Sequence, residues 1–494
     1  MKLRLCHVIL LVFTIVLLHL SAFAAENTRQ RVFVLTDISN EPDDEESMVR
    51  FLVYANEYEV EGLVATTSTW LRNKTREDLI RRQLNAYGQV RENLLKHASG
   101  FPTKESLLAV TCTGQTNYGM VGVGDGKTTA GSRRVLAAAD RDDARPLWVS
   151  VWGGANTLAQ ALWDARKERS PDALRRLVAK LRVYTISDQD DAGPWLRREF
   201  PDLFYIVSPS TPDWKEYWRA TWTGISGDRH YRNGPRHVFH LVDNPWLEAN
   251  IMKGHGPLGA LYPRLEYIME GDTPSFLGLI ENGLGWSVSP AYGGWGGRYA
   301  LYQAYGETRP IWTNNQESRD TVTADNGQTE CTDMATLWRW REHFQHDFAA
   351  RMDWCVAEEF KRANHNPVPV LNGDKTKNVV EITAQAGETV RLSAEGTGDP
   401  DGNTVETRWW IYEEVGSLVD PKTRRLPANV RLSADKGATT SLIVPALPKT
   451  GNPPITRPAT VHVILETRDN GTPNLWAYRR AVVKIEPGPA NKPN

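Results

Sequence analysis

The strongest constraint on the fold is an alternation of short, continuously apolar segments with amphipathic helical segments between about Thr28 and Ala363. Strands that are apolar at every position are typical of a parallel sheet covered by helices on both faces. The predicted strands are Val32–Thr36, Val60–Thr67, Leu147–Trp152, Leu181–Ile186 and Leu203–Val207. The predicted helices are Asp43–Tyr58, Thr75–Lys96, Ala155–Lys167 and Asp333–Arg362. This region therefore predicts an α/β fold with a mostly parallel sheet.

A region of different character follows the Asn- and Pro-rich segment at residues 364–369. It contains short β-rich segments separated by Gly, Pro, Asp and Asn turns, which is the pattern of an all-β, immunoglobulin-like (Ig-like) sandwich. The predicted strands are Val379–Ala384, Thr389–Ser393, Thr407–Tyr412, Thr439–Val444, Thr460–Arg468 and Arg479–Ile485. We therefore expect domains at residues 26–364 and 367–488, followed by a disordered tail at residues 489–494.

The N-terminus has the three parts of a secretory signal peptide, which we place at residues 1–25. Lys2 and Arg4 supply positive charge, Val8–Leu20 is largely apolar, and Ala22-Phe-Ala24 fits a cleavage site. The apolar run is short for a membrane span, so we expect a secreted or periplasmic protein without membrane attachment after cleavage. Basic and acidic residues nearly balance (58 and 60), so the charge does not favour nucleic acid as a partner.

Cleavage of the signal peptide leaves three cysteines, Cys112, Cys331 and Cys355. An odd number excludes a complete disulfide framework, and their spacing does not match a zinc cluster. Cys331 and Cys355 are able to pair in an oxidising compartment, and Cys112 is expected in or beside a strand.

Carboxylates gather where the first predicted strand ends. Asp37 follows the strand directly, and Asp43 and Asp44 follow a short loop at the start of the next helix. Ligands of open α/β sheets bind at the carboxyl edge of the strands, and crowded carboxylates there suggest a hard cation or acid–base chemistry. Helix-dipole stabilisation also explains acids in a first helical turn, but it does not explain Asp37.

Further polar segments follow other predicted strands: Thr66-Thr67, Trp152-Gly-Gly-Ala-Asn156, Ser187-Asp-Gln-Asp-Asp191 and Glu270-Gly-Asp272-Thr-Pro-Ser275. In this order, these motifs resemble the inosine-uridine nucleoside hydrolase superfamily. They are most similar to an exported bacterial branch that carries a C-terminal Ig-like domain and is labelled cellulose-binding. The turns Asp399-Pro-Asp401-Gly-Asn403 and Asp469-Asn-Gly-Thr-Pro473 also resemble turns of PKD and cadherin-like modules. The resemblance covers essentially the whole mature chain.

The resemblance implies a Ca²⁺ ion that binds the attacking water and the sugar hydroxyls. Asp37 matches the residue that ligates calcium and acts as general base, and Asp44 and Asp272 match further ligands. Trp152 stands where a backbone carbonyl completes the coordination, and Asp43 where a carboxylate accepts hydrogen bonds from a sugar hydroxyl. An oxygen-only ligand set of this kind suits calcium.

The sequence also departs from the superfamily. Five residues separate Asp37 from Asp43, where the family usually has three, and Asn40 in this longer loop is a candidate substrate contact. The His that often precedes the late Asp and handles the leaving base is replaced by Gly271, next to Glu270. A Glu can protonate a sugar or alcohol oxygen, so we assign Glu270 as the catalytic acid and favour O-glycosides over nucleosides.

Four more residues are candidate substrate contacts, each with a structural alternative. Asp190 and Asp191 follow a strand and could touch the substrate, but Asp188 or Asp191 could simply cap a helix through Trp195–Phe200. Asn156 could bind ligand or cap its own helix. Trp295 lies in a Gly-rich segment and could stack on a sugar ring, or anchor an interface or a lid.

Three functions are compatible with these residues. The leading hypothesis is a secreted hydrolase that cleaves a glycosyl bond with metal-activated water, acting on a carbohydrate or a nucleoside-like substrate, and able to form a homo-oligomer. The second is a non-catalytic carbohydrate (cellulose)-binding protein with Trp409, Trp410 and Trp476 as candidate platforms, of which Trp409 or Trp410 is expected in the core. The third is a true ribonucleoside hydrolase.

Overall fold

The computed structural model describes residues 29–39, 41–209, 220, 225–226, 237–419, 426–444 and 458–487. The predicted signal peptide, the predicted C-terminal tail and Asn40 lie outside the described residues. Among the helices that are described, none is both long enough and apolar enough to cross a membrane.

The first domain is built on an eight-stranded sheet, as the apolar strand pattern predicts. Its strands are β1 (Gln30–Thr36), β2 (Tyr58–Ala65), β3 (Thr111–Thr113), β4 (Leu147–Val151), β5 (Leu181–Thr185), β6 (Phe204–Ile206), β7 (Ala300–Tyr302) and β8 (Ile311–Thr313). The order across the sheet is β3-β2-β1-β4-β5-β6-β8-β7. Every neighbouring pair is parallel except β7 and β8, which form an antiparallel edge.

Helices cover both faces of this sheet. The main ones are α1 (Pro42–Val53), α2 (Glu77–His97), α3 (Lys104–Ala109), α4 (Ala130–Asp140), α5 (Asn156–Glu168), α6 (Pro171–Lys180) and α7 (Ala192–Glu199). Side chains alternate along β1, so Val32 and Val34 pack into a core with α1 and α2, whereas Phe33 and Leu35 pack into a second core with α4 and α5. The predicted α/β fold is confirmed.

The end of the first domain differs from the prediction of one helix over Asp333–Arg362. The structure has a short helix at Ala335–Trp338, a longer one at Arg341–Trp354 and a 3₁₀ turn at Phe360–Arg362. The break falls at Trp340, whose ψ of 0° departs from helical geometry. Further one-turn helices are Asn244–Leu247, Gly256–Gly259 and Pro274–Leu277, and a two-stranded sheet pairs β9 (Asp320–Thr323) with β10 (Thr329–Thr332).

The second domain is all β, as predicted. One sheet contains β11 (Val380–Gln385), β17 (Trp476–Glu486), β16 (Ala459–Arg468) and β13 (Glu406–Ile411), in that order. The other contains β12 (Thr389–Ser393), β15 (Thr439–Ile443) and β14 (Arg431–Leu432). Side chains of both sheets, including Leu392, Trp409 and Val483, form one core between them.

The two domains share a hydrophobic core. Tyr412, Trp476 and Tyr478 of the second domain belong to the same buried cluster as Trp340 and Phe344 of the first. Trp340 packs edge-on against Tyr478, with ring centroids 5.4 Å apart. Because this contact is apolar and buried, we treat the domains as one packed body.

The two Asp-rich turns singled out in the sequence hold the segment between the domains. The backbone N–H of His365 donates to Asp401 at 2.8 Å, and the Asn364 side chain donates to Asp469 at 2.9 Å. These side chains therefore fix the inter-domain segment against both turns.

Several sequence expectations about single side chains are changed by this packing. Cys331 is exposed, Cys355 is buried, and both are free thiols, so the disulfide that their number allowed is not formed. Trp409 and Trp476 are buried, which removes them as open platforms for a polysaccharide. Trp410 is only partly buried, and its indole N–H donates to Glu466 at 3.2 Å.

Candidate metal and catalytic centre

The candidate centre lies at the carboxyl ends of the parallel strands. Asp37 directly follows β1, Gly153 lies just past β4, and Asp190 lies in the loop after β5. Parallel strands present these ends on one edge of the sheet, so residues far apart in sequence meet there.

Three carboxylates form the centre of the cluster. Each of Asp43, Asp44 and Asp272 offers an oxygen, and these oxygens lie within 4.8 Å of one another. Asp43 and Asp44 occupy the first turn of α1, and Asp44 also accepts a hydrogen bond from the Thr36 hydroxyl. Asp272 precedes the helix Pro274–Leu277. All three are buried.

Two further acids, Asp37 and Glu41, lie beside these three. Burial raises the pKa of Asp37 to about 6, and burial together with the charge of Asp37 raises the pKa of Glu41 to about 7. Burial first, and then repulsion from the neighbouring acids, raises the pKa values of Asp43, Asp44 and Asp272 well above their usual range. No Lys or Arg among the described residues forms an ion pair with these acids. The raised pKa values show that these acids resist ionisation, and once ionised their negative charge has no cationic partner among the described residues.

The oxygens that lack partners fit a hard cation. Asp37 Oδ1 and Asp272 Oδ2 are buried and accept no hydrogen bond from the described residues. Buried polar atoms are nearly always satisfied, so two orphaned carboxylate oxygens in one cluster require an explanation. Calcium binds six to eight oxygens and tolerates carboxylates in mixed geometries. The donor set therefore fits the predicted Ca²⁺.

Two glycines leave room for this cluster. A Cβ atom on Gly271 would lie 2.6 Å from Asp43 Oδ2, and one on Gly153 would overlap the Asp37 carboxylate. Any larger residue at either position would displace a carboxylate, so the glycines shape the cradle in which the acids lie.

Trp152 remains a predicted ligand through its backbone carbonyl. That carbonyl oxygen accepts a hydrogen bond from Gln189 Nε2 at 2.9 Å. A carbonyl oxygen has two lone pairs, so one stays available for a cation. The indole ring is buried and its N–H donates to Ser150 Oγ at 2.8 Å.

Asn156 and Asp190 are committed to hydrogen bonds within the protein. The Asn156 side chain accepts from the Thr66 hydroxyl at 2.9 Å and donates to the Thr67 hydroxyl at 2.8 Å. Asp190 accepts from the backbone N–H groups of Asn156 and Ala192, and its burial raises its pKa to about 7. These contacts position the loops after β2, β4 and β5.

Asp191 and Asp188, in the same loop after β5, make different contacts. Asp191 is exposed and accepts from the backbone N–H of Met120 at 2.8 Å. Asp191 occupies the N-cap position of α7, but its side chain makes no capping hydrogen bond. Asp188 forms a bidentate ion pair with Arg197, at 2.8 and 2.9 Å. Substrate contact by Asp191 stays a prediction.

Glu270 does not face the acid cluster as a free acid. Its carboxylate is fully buried and forms an ion pair with Arg50, and it also accepts from the hydroxyls of Tyr262 (2.7 Å) and Thr273 (2.9 Å). The contacts with Arg50, Tyr262 and Thr273 occupy both carboxylate oxygens and hold them away from a substrate. The expected role of catalytic acid therefore has no support in this geometry, and a structural role fits better.

Trp295 does not lie open in its glycine-rich segment. Only 2% of its surface is exposed, and its ring packs edge-on against Phe344 and Tyr478. The second domain covers it, so the alternative of an interface anchor fits the structure and the sugar platform does not.

Glu41 is the member of the cluster that the sequence reasoning missed. It occupies the N-cap position of α1, where Ser, Thr, Asp and Asn are the usual residues, and its side chain makes no capping hydrogen bond. A Glu in place of a usual capping residue at the start of the helix was the sequence signal that could have identified Glu41. Ser39, in the same loop, has a φ of 121°, which is strained for a residue with a Cβ.

Replacing Gly153 tests the cradle. Gly153→Ala is expected to push the Asp37 carboxylate aside and to weaken Ca²⁺ binding at least tenfold, as measured by titration calorimetry of the full chain. Gly398→Ala, where a Cβ would meet nothing within 4 Å, is the matched control and should bind as the unmodified chain does. Equal affinities for both variants would argue against a cation beside Asp37.

Comparisons with known proteins identify the family of this chain. A family model described as cellulose-binding Sde182, nucleoside hydrolase-like domain, matches residues 31–299. A second model, described as the C-terminal domain of cellulose-binding protein Sde0182, matches residues 389–485. Among proteins of curated function, none matches this chain.

One solved structure is similar over nearly the whole length. It is a nucleoside hydrolase-related hypothetical protein from Saccharophagus degradans, described as associated with carbohydrate metabolism. It is 37% identical, the match covers 93% of this chain and 100% of that chain, and the TM-score is 0.75.

Two other solved structures are far more distant. The PKD domain from KIAA 1837 protein is 14% identical over 23% of this chain and 87% of its own, with a TM-score of 0.15. The type III effector XopQ complexed with adenosine diphosphate ribose is 12% identical over 66% of this chain and 95% of its own, with a TM-score of 0.31. Likenesses this weak carry no argument about function. The family models and the 37% identity show that the chain belongs to the cellulose-binding Sde182 family of nucleoside hydrolase-like proteins.

Proposed function

We propose that this protein is an exported, calcium-dependent hydrolase that cleaves glycosyl bonds of a carbohydrate. The observation that supports this most is the group of five neighbouring acids at the carboxyl edge of the sheet, two of which carry orphaned oxygens. Burying like charges together destabilises a fold, so a cluster of this kind is expected to serve a function.

The acids divide into two roles in this proposal. Asp43, Asp44 and Asp272 would hold the cation, so Asp43 takes the ligand role expected for Asp37 in place of its expected contact with a sugar hydroxyl. The cation, when bound, would supply positions for water and sugar hydroxyls and lower the pKa of that water. Asp37, with one free oxygen, accepts the proton of the attacking water. The negative charge of the cluster also stabilises the oxocarbenium-like charge that develops at the anomeric carbon.

Protonation of the leaving oxygen is assigned to Glu41 in place of Glu270. Glu41 is only partly buried, its carboxylate makes no helix-capping bond, and it interacts electrostatically with Asp37. Glu270 is not assigned to the step because it is fully buried and its carboxylate is paired with Arg50.

The substrate class follows from the rim of the site and from the relatives. Trp70 is 38% exposed, and the Arg72 guanidinium lies 4.6 Å from the centroid of the Tyr118 ring near Asp190. Aromatic and guanidinium groups of this kind offer flat surfaces to a sugar. The family description and the carbohydrate association of the Saccharophagus degradans protein point the same way, and the predicted signal peptide would deliver the chain to polysaccharide outside the cytoplasm.

A non-catalytic cellulose-binding protein is the second candidate, since the family description names binding alone. It leaves the acid cluster without a role. A ribonucleoside hydrolase is the third candidate, and inosine and uridine belong in the same assay for this reason.

The proposal is tested by calcium binding and turnover together. The calcium-loaded chain should release reducing sugar from soluble oligosaccharides, and excess chelator should abolish the release. Asp44→Asn should lose calcium affinity at least tenfold, because it removes a ligand of the triad. Glu45→Gln is the matched control, since Glu45 adjoins Asp44 but pairs with Arg82 at the surface.

Three results would decide against parts of the proposal. Absence of turnover on oligosaccharides and nucleosides alike, with calcium bound, would leave the non-catalytic function. Turnover that survives chelation would exclude the metal. Release of free base from inosine or uridine, without release of reducing sugar from oligosaccharides, would favour the ribonucleoside hydrolase.

A further inference from the structure

A second cavity lies on the same edge of the sheet as the acid cluster but several strands away. It has a volume of about 750 Å³ and is lined in part by Ser208, just past β6, and Asn314, directly after β8. β6 and β8 are parallel, so both residues lie at the carboxyl edge. β8 is four strand positions from β1, which corresponds to about 19 Å at the usual strand spacing. The cavity is therefore separate from the acid cluster.

Most of the residues that line this cavity are of polar type, and their formal charges sum to −1. The side-chain amides of Asn314 and Gln316 make no hydrogen bond with any other described residue and are available to a ligand. Two acids, Glu317 and Asp333, stand against one base, Arg319, so the described lining disfavours a phosphate or another anion. Amides that both donate and accept suit a ligand rich in hydroxyl groups.

An exposed aromatic side chain completes the lining. Tyr302, on the edge strand β7, is 54% exposed and lines the cavity. Leu301 and Tyr305 are exposed beside it, at 59% and 104%. A tyrosine ring offers an apolar face with a polar tip, which suits a sugar ring and its hydroxyls.

We propose that this cavity is a binding site for a neutral, β-linked glucan chain. The ring of Tyr302 packs against a sugar face, and the amides of Asn314 and Gln316 hydrogen-bond to its hydroxyls. The family models name cellulose binding without placing it on the molecule, and this site places it in the first domain. The site goes beyond the proposed function, because it binds glucan whether or not the acid cluster turns a substrate over.

Calorimetry of the full chain with cellohexaose tests the site. Tyr302→Ala and Asn314→Ala should each weaken binding at least tenfold, and Tyr302→Trp should restore most of it. Tyr305→Ala is the matched control, because Tyr305 is fully exposed, lies three residues away and does not line the cavity. It should change the affinity less than twofold, and thermal unfolding of each variant reports that the fold is intact.

The outcomes separate this site from the acid cluster. Asp44→Asn should bind cellohexaose as the unmodified chain does, even if it has lost calcium and turnover. Failure of turnover with binding intact would therefore count against the proposed function alone. No measurable binding of cellohexaose by the unmodified chain, or equal binding by the Tyr302→Ala and Tyr305→Ala variants, would overturn the glucan site.

Discussion

Asp37→Asn is expected to lower turnover by roughly 10² to 10⁴-fold, the range that removal of a general base usually gives. An amide of the same shape cannot accept the proton of the attacking water. The three acids whose oxygens approach within 4.8 Å do not include Asp37, so calcium should still bind, with an affinity reduced less than the turnover. Turnover of oligosaccharides and calcium calorimetry on the same preparation measure both effects.

The stability of the Asp37→Asn variant provides an internal check. In the calcium-free chain the substitution removes a buried carboxylate whose pKa is raised by burial, so the melting temperature at pH 8 should rise. Glu45→Gln should leave both turnover and melting temperature unchanged, because Glu45 pairs with Arg82 at the surface. An Asp37→Asn variant with full turnover would remove Asp37 from the mechanism.

The second large effect is an inversion of the pH dependence of stability by calcium. Burial raises the pKa of Asp37 from 3.8 to about 6 and, with the charge of Asp37, that of Glu41 from 4.5 to about 7. An acid whose pKa is higher in the folded state stabilises the fold below its unfolded pKa and loses that contribution as pH rises through the folded pKa. The calcium-free chain should therefore lose stability between about pH 4 and pH 7, by about 3 kcal/mol from Asp37 alone.

Calcium should reverse this trend, since it binds the ionised carboxylates. At a concentration a thousand times the dissociation constant, binding adds roughly 4 kcal/mol, enough to offset the loss at pH 8. Thermal unfolding from pH 4 to pH 8, with chelator and with calcium, measures both curves. Asp272→Asn should flatten the calcium-free curve, and Asp191→Asn, at an exposed position, should not. Parallel curves with and without calcium would contradict the cation site.

The fold was predictable because its main signal is local. The apolar runs of β1, β2, β4 and β5 predict buried parallel strands, and parallel strands bring their carboxyl ends to the same edge of the sheet. The resemblance to nucleoside hydrolases, rather than a strand end, grouped Asp272 with Asp37, since no strand among the described residues directly precedes Asp272. The three-residue strands β7 and β8 have no such run, and nothing local distinguished them from loops.

The residues that sequence reasoning misplaced depend on distant partners. Glu270 looked like a free acid because Arg50, which pairs with it, lies on α1. Trp295 looked open because its flanking glycines free the backbone, while Tyr478 of the other domain covers the ring. Glu41 was overlooked because its importance arises from the repulsion of Asp37, which becomes strong only once the loop has folded.

The core shared by the two domains limits how the chain can be divided into fragments for experiments. Tyr412, Trp476 and Tyr478 are covered by the first domain, so residues 367–488 expressed alone would present these rings to water. Such a fragment should aggregate or bind apolar surfaces indiscriminately, and its retention on cellulose would say little about recognition. The direct contact between Trp340 and Tyr478 therefore makes the two-domain chain, rather than either domain alone, the unit to express and assay.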